Sequence, residues 1–409
     1  MDPGSDSCVI VFDVEGEYTA LNQENDNAGI VEVLEQRGLK PAAVDNTHVY
    51  RLCGCAAANP KHPSSKEFTL QFEEISPFAF GEIMDLSDAQ NERLIQAYEI
   101  GKALLRQLEI FPPKGQERQV LDIDEFDRGW PMMRLEDLRY LVSAIIAIAE
   151  KTGEGEPPFR DSQFFDNWNT VKARIHAYFG AGEADGGEAK KAKISHGVSW
   201  KALMAKISRL QRLRIFDRGN QFAIKYDEML QPGRVNIVDL SDVENMDVRN
   251  LAIAEMLRGI LNRQQEIYDE ATKDSDEDAE TNPLMTNVII EEAHEFLSAR
   301  RVDKMPTLRE QLMKIAKRGR KRYLGLTFVT QSPNDLPDDV LGLVNNWVIY
   351  KIDEATIRRL KSYIPNSDES LWALVRGLGP GQALVSFTHI RRPVIGAIDP
   401  SPARLLMTE

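Results

Sequence analysis

The chain has 409 residues, of which 42% are hydrophobic and 28% are charged, and its formal net charge is −14. This composition is that of an ordinary folded protein with room for two or three domains, and no stretch reaches the ~18 to 20 apolar residues that a membrane span needs. The negative charge argues against a surface coated with nucleic acid, although it permits a locally basic channel that carries DNA.

Cysteine is rare in this sequence, with only Cys8, Cys53 and Cys55 present. Cys53 and Cys55 could bind a soft metal in principle, but no second Cys/His pair stands at a matching spacing. We therefore interpret them as small buried thiols. This use of cysteine fits the reducing cytoplasm, where we expect the protein to be located.

The first half of the chain changes from strand character to helix character. Residues 8–18, CVIVFDVEGEY, predict a buried strand followed by acidic residues, and residues 48–52 and 67–72 favour β-structure. The apolar period then becomes helical in four segments, at 87–108, 135–153, 164–180 and 199–213. These four helices predict a bundle inserted between strands.

Strand character returns in the second half. Residues 233–241, GRVNIVDLS, predict a buried strand, and a long helix follows over roughly 245–270. Further strands are predicted at 286–292, 323–333, 345–352, 381–387 and 391–398, with a helix at 308–322. Strand–helix alternation with almost continuously apolar strands predicts an α/β fold, in which helices cover both faces of a mostly parallel sheet.

Acidic or amide side chains stand where several of the predicted strands end. They are Asp13, Asp239, Glu291, Glu292 and Gln331. Ligand sites in parallel sheets lie at the carboxyl ends of the strands. The sequence therefore predicts that these side chains share one site.

An apolar strand that ends in two adjacent acids suits nucleoside triphosphate hydrolysis. Glu291 would orient Mg²⁺, usually through its waters, and Glu292 would polarise the water that attacks the γ-phosphate. Gln331, at the end of the next strand, could hydrogen-bond that water or the phosphate. The alternative is a strand that ends at the surface in two solvated acids, followed by an ordinary polar turn.

Basic residues crowd the segment before the strand that ends in Gln331. In AKRGRKRYLG (316–325), Arg320 could reach a phosphate as an arginine finger, in its own subunit or a neighbouring one, and we place Lys321 among the phosphate-binding residues. A solvated basic face is the alternative. The candidates for contacts with DNA phosphates in a pore are Arg300, Arg301 and Lys304.

Several segments, in order along the chain, resemble the HerA/FtsK group of hexameric ATPases. IIEEAHEF (289–296) followed by IAKRGRKRYLGLTFVTQSPNDLP (315–337) is similar to that group's Walker B, GRK and sensor segments. VFDVEGEYTAL (11–21) resembles its D-x-x-G-E-Y segment. Residues 233–241, 378–387 and 391–398 also fit the HerA pattern, so the resemblance spans nearly the whole chain.

The resemblance implies a RecA-like core that binds ATP and Mg²⁺ and assembles as a homohexameric ring. Such rings translocate on double-stranded DNA, often with a nuclease in end resection or with an effector in phage defence. By this resemblance Glu291 matches the Walker B acid and Glu292 the catalytic glutamate. Gln331 matches the sensor, and Arg320 is the arginine-finger candidate. Asp13 and Glu17 match two acids near the phosphates.

The resemblance also divides the chain into three parts. Residues 1–85 would form the first part of the RecA-like core, residues 86–215 the inserted helical bundle, and residues 216–409 the second part of the core.

One element of the HerA pattern is missing from the sequence. A G-x-x-x-x-G-K-[ST] loop should precede the D-x-x-G-E-Y strand, but only MDPGSDS (1–7) does so. We expect that Met1 lies inside a longer reading frame that encodes this loop, and that the 409-residue chain alone turns over little ATP. The alternatives are a non-hydrolysing ring or scaffold subunit that binds a partner effector, and a DNA-packaging or conjugation ATPase, which shares the same core.

Overall fold

A six-stranded sheet in which every pairing is parallel forms the centre of the protein. The computed structural model describes residues 7–115, 123–125, 128–150, 157–180, 194, 197–273, 284–298, 305–306, 309, 312–315, 319–365 and 367–406. The strands are β1 (Ser7–Asp13), β2 (Thr47–Leu52), β3 (Ser65–Phe68), β4 (Val235–Asp239), β5 (Met285–Ile290) and β6 (Leu324–Phe328). Their spatial order is β3-β2-β4-β1-β5-β6, which confirms the predicted parallel α/β core.

The two central strands, β1 and β4, are buried on both faces of the sheet. Ile10, Phe12 and Ile237 are completely inaccessible to solvent. Strands buried on both faces lose the apolar–polar alternation of a half-exposed strand, which explains the continuous apolar runs in the sequence. The core of the protein therefore sits on either side of β1 and β4.

The helices have the following bounds in the described part of the chain: α1 (Ala28–Gln36), α2 (Pro77–Ile83), α3 (Asp88–Gln107), α4 (Leu135–Glu150), α5 (Trp168–Tyr178), α6 (Gly197–Arg212), α7 (Tyr226–Met229), α8 (Met246–Lys273), α9 (Ala293–Leu297), α10 (Asp338–Leu341), α11 (Glu354–Leu360) and α12 (Glu369–Val375). None of these described helices is both long enough and apolar enough to cross a bilayer.

Helices α3 to α6 pack against one another and form the predicted inserted bundle between β3 and β4. Helix α3 begins with a capping box, in which the hydroxyl of Ser87 accepts from the backbone of Gln90 and the Gln90 side chain accepts from the backbone of Ser87. Trp200 on α6 is fully buried in this bundle. One hydrophobic core runs without interruption from the sheet into the bundle, so the divisions after residues 85 and 215 remain predictions.

The last three strands do not join the parallel sheet, which the sequence predicted only as mostly parallel. Strands β7 (Trp347–Ile349), β8 (Gln382–Ser386) and β9 (Val394–Ala397) form a separate antiparallel sheet in the order β7-β8-β9. Only residues 387–393 connect β8 to β9. A connection this short suits antiparallel pairing, since parallel strands need a crossover of a dozen or more residues.

Gln264 on α8 ties that helix to the amino ends of β5 and β6. Its Nε2 donates to the carbonyls of Leu284 at 2.7 Å and Arg322 at 2.8 Å, and its Oε1 accepts from the Thr286 hydroxyl at 2.9 Å. The side chain is fully buried. It therefore satisfies three polar groups that have little access to water.

We predict that Gln264→Leu lowers the free energy of unfolding by about 3 kcal/mol, because these polar groups lose their partner inside the core. The matched control is Gln265→Leu, one residue along α8, whose side chain makes a single partly exposed hydrogen bond to Asp269. Chemical denaturation measures both. Equal effects of the two substitutions would contradict the structural role of Gln264.

Candidate functional site

Acidic and amide side chains meet at the carboxyl edge of the parallel sheet. Asp13 ends β1 and pairs in register with Asp239, which ends β4. On the other side of β1, the backbone N–H of Glu291 donates to the carbonyl of Phe12 at 3.3 Å. Gln331 follows β6 at the same edge. The side chains that the sequence placed at strand ends are therefore neighbours in space.

Asp13 is completely buried and folds the loop that follows it back onto the sheet edge. Its Oδ1 accepts from the backbone N–H groups of Gly16 at 2.7 Å and Glu17 at 3.1 Å, and its Oδ2 accepts from that of Tyr18 at 2.9 Å. Gly16 has φ of +81°, and a Cβ there would lie 2.7 Å from the Cβ of Ala58. The turn therefore needs both a carboxylate at 13 and a glycine at 16.

Asp239 organises a second loop at the same edge. Its Oδ2 accepts from the backbone N–H of Ala58 at 2.8 Å, and its Oδ1 accepts from the Ser241 hydroxyl at 2.6 Å. The Asn59 side chain in turn donates to the carbonyl of Thr19 at 2.8 Å. The loops after β1, β2 and β4 are thus held together around the two strand-end aspartates.

Glu291 is the buried acid at the centre of this edge, with 7% of its surface exposed. Burial, and then the nearby Asp13 carboxylate, raise its pKa to about 8. Burial, with Asp239 adding repulsion, likewise raises the pKa of Asp13 to about 6. The Tyr18 hydroxyl interacts with the Glu291 carboxylate and favours its charged form.

The surroundings of Glu291 fit a hard divalent cation. Its Oε2 is buried and has no hydrogen-bond partner in the described part of the chain. A buried carboxylate oxygen of this kind is stabilised by a positive charge. No three potential ligand side chains among the described residues form an all-protein metal site, but Mg²⁺ commonly uses one or two carboxylates together with water and phosphate oxygens.

Glu292 has a different setting, although it is the next residue. Its backbone lies in the left-handed region, with φ of +44°, at the point where α9 begins. Its Oε1 accepts from Nε2 of Gln331 at 2.6 Å, and its Oε2 lies 3.1 Å from Nδ1 of His294. A left-handed backbone at a non-glycine residue costs about 1 to 3 kcal/mol, so the surrounding contacts must enforce it.

Glu17 lies in a short turn beside this site, where its side chain is partly exposed. Its N–H donates to Asp13, and its carbonyl accepts from the N–H of Leu406 at 2.8 Å. The carbonyl of Gln23 similarly accepts from Arg404 at 2.9 Å. The segment after β9 therefore pairs with the loop that carries Glu17.

Lys321 is not brought to the acids of its own chain. Arg320 and Lys321 belong to the turn Gly319–Arg322, which precedes β6, whereas Gln331 follows that strand. The five residues of β6 alone span about 16 Å, so Lys321 lies at the opposite edge of the sheet. The side chain of Arg320 lies outside the described residues, as do Arg300, Arg301 and Lys304 entirely.

Sequence reasoning missed two contacts at this edge. Tyr18 interacts with Glu291, and Thr330 and His294 contact one another at 3.1 Å. Tyr18 stands in the D-x-x-G-E-Y segment, which gave a usable signal. The position of His294, three residues after Glu291, was noticeable in the sequence, but nothing there indicated which strand end it would face.

Known protein families match most of this chain. A family model described as the central domain of helicase HerA matches residues 4–260, and one described as the HerA-like C-terminal domain matches residues 264–394. The DNA double-strand break repair helicase HerA of Saccharolobus solfataricus is 27% identical over 273 residues, which cover 66% of this chain and 49% of that protein. Its counterpart in Sulfolobus acidocaldarius is 30% identical over 174 residues, which cover 42% of this chain and 33% of that protein.

The chain thus spans about half the length of the first of these relatives and a third of the second. Among solved structures, VirB4 of Thermoanaerobacter pseudethanolicus aligns with 97% of this chain and 82% of its own, at 12% identity and a TM-score of 0.49.

We predict that, without divalent cations, the protein loses stability as the pH rises from about 5 to 8. The folded-state pKa values of Asp13 and Glu291 lie above their ordinary values of 3.8 and 4.5, so the folded state binds more protons than the unfolded state in this range. Glu291→Gln should reduce the loss by at least about 1 kcal/mol.

Chemical denaturation at pH 5.5 and pH 8, in the presence of a chelator, measures this difference. Glu15→Gln is the matched control, because Glu15 is an exposed carboxylate on the neighbouring loop and should leave the pH slope unchanged. A pH slope that Glu291→Gln does not alter would show that Glu291 is not a buried, repelled acid.

Proposed function

This chain belongs to the HerA helicase family, and we propose that it is a motor subunit that couples ATP hydrolysis to movement on double-stranded DNA. One observation carries the proposal. The side chains of Glu292 and Gln331 meet at 2.6 Å on the carboxyl edge of a parallel sheet, and the preceding residue, Glu291, has a buried Oε2 with no hydrogen-bond partner among the described residues. This is the edge at which open α/β sheets bind ligands.

The proposed division of labour follows from how differently the two glutamates are held. Glu291 is buried and suited to hold a Mg²⁺–nucleotide, directly or through water. When bound, Mg²⁺ neutralises charge on the phosphate oxygens. Glu292 is kept in a fixed orientation by Gln331 and accepts a proton from the attacking water. The loop fixed by Asp13 brings Glu17 and Tyr18 to the rim of the same site.

Arg320 and Lys321 would act on the site of a neighbouring subunit. Their position beyond the amino end of β6 separates them from the acids of their own chain. Gln264 holds the end of this turn through the carbonyl of Arg322, and the turn needs glycine at 319, where a Cβ would lie 2.5 Å from the carbonyl oxygen of Leu324. A fixed basic turn on one face and an acidic site on another suit a homohexameric ring with arginine fingers in trans.

The substrate and partners of the ring are proposed from the relatives. Proteins that share about half their length or less with this chain are called DNA double-strand break repair helicases, so we propose double-stranded DNA as the track. Arg300, Arg301 and Lys304 are the proposed phosphate contacts in the pore. A nuclease or a defence effector is the proposed partner, and the cytoplasm the proposed location.

Glu292→Gln should abolish ATP hydrolysis but not ATP binding. Removal of a general base slows hydrolysis by at least about 100-fold, whereas the neutral amide keeps the size of the side chain. The measurement is DNA-stimulated ATP hydrolysis by the protein expressed from its complete reading frame, with nucleotide affinity measured in parallel. Glu15→Gln is the control, since its exposed carboxylate should leave the rate unchanged.

Hydrolysis by Glu292→Gln at the rate of the unsubstituted protein would reject Glu292 as the residue that activates water. Loss of nucleotide binding together with hydrolysis would instead move Glu292 into the binding role proposed for Glu291.

A further inference from the structure

His294 stands between the ends of β5 and β6, on the first turn of α9. Its Nδ1 lies 3.1 Å from Oε2 of Glu292 and also 3.1 Å from the hydroxyl oxygen of Thr330. About a quarter of the imidazole is exposed, compared with 13% of the Glu292 side chain. One ring nitrogen therefore faces one acceptor from each strand end.

One oxygen of the Glu292 carboxylate lacks a hydrogen-bond donor among the described residues. Its Oε1 accepts from Gln331, but its Oε2 is buried and has no hydrogen bond within the described residues. The nearby Nδ1 is close enough to supply that bond after a small rotation of the imidazole. A buried carboxylate oxygen that remains without a donor costs about 1 to 3 kcal/mol, so the rotation would be favourable.

The tautomer of the ring follows from the groups around Nδ1. The hydroxyl oxygen of Thr330 already accepts from the backbone N–H of Ser332 at 3.0 Å, and it can accept a second hydrogen bond. If Nδ1 carried no proton, its lone pair would face the Glu292 carboxylate at 3.1 Å, which is repulsive. A proton on Nδ1 has two acceptors within reach and removes this repulsion.

We propose that His294 is a positioning residue that holds the carboxylate of Glu292 through Nδ1–H while Thr330 sets the orientation of the imidazole. The inference rests on the proposed function, in which Glu292 activates water. Together with Gln331, the four residues form a closed ring of contacts between the two strand ends.

This arrangement gives Glu292 a second donor when Gln331 is used elsewhere. If Gln331 turns to donate to the attacking water or to the γ-phosphate, its bond to Oε1 of Glu292 is lost. The contact between His294 and Oε2 does not depend on that bond, because His294 lies on α9 and contacts the other oxygen of the carboxylate. Glu292 therefore keeps its orientation during the step in which it accepts the proton.

The first experiment is independent of ATP hydrolysis. Nitrogen-15 NMR of the histidine-labelled protein at neutral pH, with the His294 signal assigned by its loss in His294→Asn, reports which ring nitrogen carries a proton. A proton on Nδ1 that shifts in both Glu292→Gln and Thr330→Val supports the proposal. A bare Nδ1 with the proton on Nε2, or a signal that neither substitution moves, overturns it.

The second experiment uses a pair of substitutions that place an amide at different points. His294→Asn puts a donor near the position of Nδ1, whereas His294→Gln extends it towards the position of Nε2. In the protein from the complete reading frame, His294→Gln and His294→Ala should lower kcat for ATP roughly tenfold or more, with KM unchanged. His294→Asn should restore kcat to within about threefold of the original.

Three results would overturn the proposal: equal kcat values for the Asn and Gln variants, a change in KM rather than kcat, or kcat losses that only follow losses of thermal stability. If the unsubstituted protein hydrolyses no ATP, the proposed function fails, and the NMR result alone decides whether His294 holds Glu292.

Discussion

The parallel pairing of β1 with β4 on one side and β5 on the other is the constraint on which the rest of this protein depends. Because these strands run in one direction and end at one edge, Asp13, Asp239 and Glu291 are forced together. Carboxylates at such short range repel one another, and burial makes the repulsion stronger. The apolar contacts of the strands keep the acids together despite this cost. The stability of the sheet therefore offsets the repulsion within the site.

The three acids Asp13, Glu291 and Glu292 differ in their burial and in their hydrogen bonds. Asp13 accepts three backbone hydrogen bonds and shapes the adjacent loop, so its oxygens are largely committed to structure. Glu291 has a buried oxygen without a hydrogen-bond partner among the described residues, and burial and repulsion by Asp13 raise its pKa, an effect that a bound cation would offset. Glu292 has a left-handed backbone and accepts a hydrogen bond from Gln331. Neighbouring residues in the sequence thus have different surroundings.

The sequence was informative about the sheet edge and much less so about the connections around it. Apolar runs followed by acids correctly indicated that Asp13, Glu291 and Gln331 would share an edge, because in a parallel sheet that outcome follows from strand direction alone. The pairing of β7 to β9 was not predictable in this way, since a short apolar strand carries no signal for its partner. The contact between Leu406 and Glu17 joins residues nearly 400 positions apart, and no local pattern could have indicated it.

The central claim is that the carboxyl edge of the sheet holds a divalent cation together with a nucleotide. Electron paramagnetic resonance of Mn²⁺, added with ATP to the protein from the complete reading frame, tests it most directly. We predict that Mn²⁺ binding is lost in Glu291→Ala and retained in Glu15→Ala, because the carboxylate of Glu15 is exposed on the neighbouring loop and has no part in the site. Equal Mn²⁺ binding by the unsubstituted protein and Glu291→Ala would contradict the account.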